Sequence, residues 1–83
     1  MAGKWIDASL KPDGMLVLGI DGRRIISHQK IGDEHYLILA DRPAETYGGA
    51  TAAMRRIIEV LREEGGDVHE LCMRKNSVFQ LPL

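Results

Sequence analysis

Three histidines and one cysteine are the residues of this chain best suited to metal or acid–base chemistry: His28, His35, His69 and Cys72. A zinc site wants about four converging nitrogen or sulfur ligands. His69 and Cys72 are three apart, and on a strand that spacing points them to opposite faces. His28 and His35 therefore stand alone as a small-molecule or metal site. They also fit a pH-responsive contact, since histidine titrates near neutrality, or two surface histidines at the edge of a sheet. No cofactor is expected. Cys72 lies in an apolar segment with no adjoining cation, which reads as a buried, inert thiol rather than a nucleophile.

Other segments carry weaker chemistry. Tyr47-Gly48-Gly49-Ala50-Thr51 precedes a helical pattern and offers backbone N–H groups to an anion. It lacks the spacing of the nucleotide-binding glycine loops, so a hinge or a close helix–sheet contact is expected. Arg55, Arg56 and Arg62 form the basic set of a nucleic-acid-binding alternative. Glu59 is three or four residues from each and neutralises that face. Asp7, Asp13, Asp21, Asp33 and Asp41 fall mostly at turns or strand ends, where aspartate bonds its own backbone. They form no catalytic pair, and the chain is not expected to be an enzyme.

The bulk numbers fit that reading. Eighty-three residues make one domain, spanning 1–83. Such a domain buries only roughly 60–65% of its unfolded surface. A single cysteine allows no internal disulfide, which favours a reducing, cytoplasmic setting. No run of apolar residues reaches the roughly 18 needed to span a bilayer, and no signal-peptide pattern is present. Net charge is −1. Positions 1–42 hold six Lys/Arg and six Asp/Glu, and positions 43–83 hold five and six. That even spread lacks the basic stripe of a nucleic-acid binder.

The elements that must position these residues begin with turns. Pro12-Asp13-Gly14 matches a type I turn followed by a glycine bulge. Asp21-Gly22 is a two-residue hairpin turn. Around them run alternating segments: Lys4–Leu10, Met15–Ile20, Arg23–Gln29 and, after a four-residue loop at Lys30–Asp33, Glu34–Ala40. The implied register sets Leu10 opposite Leu16, Ile20 opposite Arg23, Leu18 opposite Ile25 and His28 opposite His35. One face then carries Ile6, Ala8, Leu10, Leu16, Leu18, Ile20, Ile25, Tyr36, Ile38 and Ala40. The other carries Trp5, Asp7, Ser9, Met15, Val17, Arg24, Ile26, His28, His35, Leu37 and Leu39. A slip of one residue exchanges the faces of a strand.

After Asp41-Arg42-Pro43 the apolar period lengthens. Tyr47, Ala50, Met54, Ile57, Ile58 and Leu61 follow helical spacing, with Asp41 or Arg42 as cap. The glycine pair shifts the rigid part to about Ala50 and leaves Pro43–Gly49 as a loop. Gly65-Gly66 ends the helix. Glu63 and Glu64 stand where the helix dipole disfavours them, which no local pattern explains. Val68–Met73 and Val78–Leu81 read as strands around a turn at Arg74–Ser77. The expected fold is thus α+β: an antiparallel meander of about four strands, one amphipathic helix on one face, and a C-terminal strand or hairpin (β-β-β-β-α-β-β).

The order of strands, then Asp41, Pro43, Gly49, Thr51 and the Met54–Leu61 stripe, resembles HicB-type antitoxin domains. The likeness is confined to those positions. The acidic signature and DNA-binding tail of that family are missing, so it implies no function here. The functional expectation turns on the second, semi-apolar sheet face: either the C-terminal segment, Val68 to Leu83, folds across it, or Trp5, Met15, Val17, Ile26, His28, His35, Leu37 and Leu39 form a protein-binding surface. A small non-enzymatic module is expected, an adaptor or an inhibitor of a larger assembly of the kind a phage or mobile element encodes. Its expected partner is another protein, in the first place a second copy in a homodimer. Nucleic acid through Arg55, Arg56 and Arg62 is the alternative, and no membrane partner is expected.

Overall fold

The computed structural model describes residues 3–68. Five strands lie side by side in chain order, each antiparallel to the next. They are β1 (Ile6–Leu10), β2 (Leu16–Ile20), β3 (Arg23–Ile31), β4 (Glu34–Leu39) and β5 (Glu45–Tyr47). One helix, α1 (Ala50–Glu63), packs across β3, β4 and β5. The α+β meander with one covering helix is therefore as expected, with one more strand. The expected strands at Val68–Met73 and Val78–Leu81 lie, but for Val68, outside the described residues, as do His69 and Cys72.

The first two turns follow their residue chemistry. The Lys11 N–H donates to the Met15 carbonyl at 2.8 Å, and the Gly14 N–H to the Lys11 carbonyl at 2.9 Å. Gly14 takes a φ of 91°, which places Leu10 opposite Leu16. Asp21 and Gly22 both have positive φ, 55° and 76°, as a type I′ turn demands. The third turn is tighter than expected. Gly32 has a φ of 62° and occupies the first place of a two-residue turn, so β3 continues to Ile31 and pairs it with Glu34.

One bulge decides which way the second half of the sheet faces. Gly19 pairs with Arg24, but Leu18 pairs with Ile26, and Ile25 is the extra residue. The expected Leu18–Ile25 pairing is thus corrected by one residue, and everything beyond the bulge changes side. Ile26, His28, His35, Leu37 and Leu39 turn to the same face as Ile6, Leu16, Leu18 and Ile20, where all nine are buried. Tyr36 and Ile38, expected on that face, point the other way. Ile25 is buried as well, so both residues of the Ile25-Ile26 pair serve the core. Leu10, expected in the core, is 56% exposed.

The helix completes this core with Ala53, Ile57, Val60 and Leu61 fully buried and Ala50, Met54 and Ile58 partly so. Each large aliphatic side chain sequestered this way stabilises the fold by about 1.5–3 kcal/mol. The cap expected at Asp41 or Arg42 is replaced by Gly49, in extended backbone, because residues 45–47 form β5 instead of a first turn. The far end closes as a Schellman motif. Gly65, with a φ of 85°, donates to the Arg62 carbonyl, and Gly66 donates to that of Leu61. Glu63 and Glu64 find their reason here: Arg42 reaches Glu63 at 3.4 Å and Arg23 reaches Glu64 at 3.2 Å, tying the helix end to the strands. Finally, Lys4 and Gly66 form a parallel bridge that joins the two ends of the described chain.

Candidate functional site

Two regions hold the residues singled out above. The first is the covered face at the end where β3, β4 and β5 meet the start of α1. There Lys30, His35 and Tyr47 lie in one row across three strands. His28 sits diagonally from His35, and His28 Nε2 is 2.8 Å from His35 Nδ1. The rings stack with centroids 5.1 Å apart and planes inclined by 29°. Both residues are buried. Burial, and then the neighbouring His35, lower the pKa of His28 below 6.5.

A hydrogen bond between two neutral imidazoles uses one proton and one lone pair. Among the described residues His28 Nδ1 is buried without a partner. A buried orphan N–H is the rarer defect and a bare acceptor the more tolerable one. That choice places the proton on His28 Nε2, which donates to His35 Nδ1. His35 then carries its own proton on Nε2, on the side of the ring away from His28. These two facing nitrogens are hydrogen-bonded to each other in this structure. Among the described residues no three His, Cys, Asp or Glu side chains are grouped to hold one.

Next to the histidines lies a polar cluster that the sequence did not reveal. Arg56 of α1 grips Glu45 of β5 with two bonds, Nε to Oε1 at 2.8 Å and Nη2 to Oε2 at 3.1 Å. The Tyr47 hydroxyl donates to the same carboxylate at 2.8 Å, and Arg56 also bonds Glu59. The bonds from Arg56 and then Tyr47 hold the Glu45 carboxyl below its usual range, and the bond to Glu45 raises Tyr47. Reading residues 45–47 as a strand was the signal that would have found this cluster, because Glu45 and Tyr47 share a face only there. Arg56 is thereby committed within the fold. Arg55 and Arg62 are exposed, so the basic set of the nucleic-acid alternative is reduced.

The second region is the outer face of the sheet, opposite α1. The bulge leaves Asp7, Ser9, Val17, Ser27, Gln29, Ile31, Tyr36 and Ile38 on it. Ile31 is 57% and Ile38 38% exposed, and Trp5, just before β1, is 58% exposed. Ser27 lies between Val17 and Ile38 and is buried, its hydroxyl without a partner among the described residues. Of the expected protein-binding set, Trp5, Met15 and Val17 retain exposed or half-buried positions. Ile26, His28, His35, Leu37 and Leu39 belong to the core. Ile31, Tyr36 and Ile38 take their place on the outer face.

No helix among the described residues is long and apolar enough to cross a membrane. Comparison with protein-family models, with curated proteins and with solved structures finds no match to this chain.

Proposed function

We propose that this chain is a small, non-enzymatic protein-interaction module that pairs with a second copy of itself through the outer face of its sheet. The observation that carries this reading is the apolar group formed by Val17, Tyr36 and Ile38 with Ile31 beside it, on the face that α1 leaves uncovered. Face-to-face packing of two antiparallel sheets is a standard way to bury such surfaces, and a two-fold contact lets one patch serve both copies. Asp7 and Glu34 against Arg24 give the rim both signs of charge, so like charges need not meet. A paired module of this kind serves as an adaptor or as an inhibitor of a larger assembly.

Light scattering after size exclusion, over a range of concentrations, tests it. The expected result is a dimer that Ile38→Glu converts to a folded monomer. A wild-type protein that stays monomeric at every concentration overturns the reading.

A further inference from the structure

Starting from the self-pairing proposed above, on which this geometry depends, we infer that the two copies meet about a two-fold axis that runs across the strands. The axis follows the outer-face row of Ser9, Val17, Ser27 and Ile38, one residue from each of four adjacent strands.

Two further rows flank this one. On one side lie Asp7, Gly19 and Arg24, paired in that order across β1, β2 and β3. On the other side lie Lys11 and Met15, then Gln29 and Tyr36. The Lys11 N–H bonds the Met15 carbonyl at 2.8 Å, which extends the β1–β2 ladder by one step. Alternation then puts both side chains on the face of Ser9 and Val17. A two-fold axis along the middle row turns one flanking row onto the other. The Lys11–Met15 pair of one copy thereby falls on the Asp7–Gly19 pair of the second, and the strands of the two sheets run antiparallel in aligned packing.

The two flanking rows match in shape and in charge. Gly19 has no side chain and floors a notch of about 200 Å³ walled by Asp7, Ser9, Val17 and Arg24. Met15 is half-buried, and its unbranched, flexible side chain suits an irregular recess. Beside it, Lys11 meets Asp7, and the symmetry makes this opposite-charge contact twice. Both residues are exposed in the single copy. Arg24 falls near Gln29, which is uncharged. In the middle row Val17 meets Val17 and Ile38 meets Ile38, so the apolar surface covers itself.

Axes along the strands fit worse. One through β3 sets Arg24 on Arg24. One through β2 carries Ile38 beyond β1 and leaves it uncovered. One between β2 and β3 sets Ile38 on Ser9 and Val17 on Ser27.

Charge reversal in the full chain tests the axis, with the dimer dissociation constant read by light scattering over a range of concentrations. Asp7→Lys and Lys11→Asp are each expected to weaken the dimer by about tenfold, because each brings like charges together twice. The double variant restores opposite charges and is expected to recover most of the lost affinity. In a mixture of isotope-labelled and unlabelled copies, the Met15 methyl is expected to show intermolecular NOEs to Gly19. A dimer in which the double reversal recovers nothing, or in which Met15 makes no contact with Gly19 of the second copy, overturns the axis and leaves pairing through the outer face standing. A protein that stays monomeric at every concentration overturns both.

Discussion

His28 and His35 share a hydrogen bond without being partners across the strands. His28 stands opposite Leu37, and His35 opposite Lys30, yet His28 Nε2 and His35 Nδ1 are 2.8 Å apart. Diagonal neighbours on one sheet face lie within reach of ring-sized side chains. The pair is thus a product of the pleat, and it buries two titratable rings beneath the helix.

Acid is expected to weaken this fold from neutral pH downward. His28 is held neutral by burial and by His35, so its folded pKa lies below the 6.5 of an unfolded chain. Its contribution is fully present above 6.5 and is lost as pH falls from there toward the folded value, because the unfolded chain takes up the proton first. Each unit of separation is worth about 1.4 kcal/mol. Urea midpoints measured from pH 8 to pH 5 should fall, and His28→Leu should flatten that part of the curve.

A second acid-sensitive element is a carboxylate. Glu45, bonded by Arg56 and Tyr47, has its pKa lowered from 4.5. Its stabilisation is present above that value and disappears as pH falls through the folded pKa. The pair is partly buried, so Glu45→Gln and Arg56→Met should each cost about 1–2 kcal/mol, with a double-mutant cycle showing coupling. A carboxyl carbon titration by NMR checks the shift directly.

Gly19 is required by the bulge. A Cβ there meets the Arg23 carbonyl oxygen at 2.9 Å, and a backbone atom cannot swing aside. Gly19→Ala is expected to destabilise the protein by about 1–3 kcal/mol, read as a lower urea midpoint. An unchanged midpoint would show that the bulge has moved.

Ser27 buries a hydroxyl that has no partner among the described residues, in the middle of the outer face. Replacing such a group with an apolar one removes an unpaid desolvation cost. Ser27→Ala should therefore be neutral or stabilising by up to about 1 kcal/mol in chemical denaturation, an uncommon sign for a buried site.

The turns made much of the sheet legible. Pro12-Asp13-Gly14 and Asp21-Gly22 need specific backbone angles, and those residues supply them. The two histidines were also correctly placed on one face, since the third loop is shorter than expected by two residues and a shift of two preserves facing. What stayed hidden was one residue. In Arg23-Arg24-Ile25-Ile26 two apolar side chains are adjacent, so alternation has no phase there, and the bulge that consumes Ile25 leaves no other trace. That single residue reversed the faces of β3 and β4 and moved the expected surface into the core. Glu45 and Tyr47 were lost for a related reason: a three-residue strand beside a helical stripe is too short for its own period to show.

The bridge between Lys4 and Gly66 has a consequence for the order in which the structure assembles. Every strand pairs with its neighbour in the chain, so the sheet can grow hairpin by hairpin with short loops to close. The bridge forms when the first and last described segments meet, which closes a far longer loop than any hairpin. It is expected to fasten late in folding and to open early in unfolding, as the contact with the longest loop to close. The Lys4 and Asp67 amides, which make its two hydrogen bonds, are thereby natural reporters of partial opening that leaves the sheet intact.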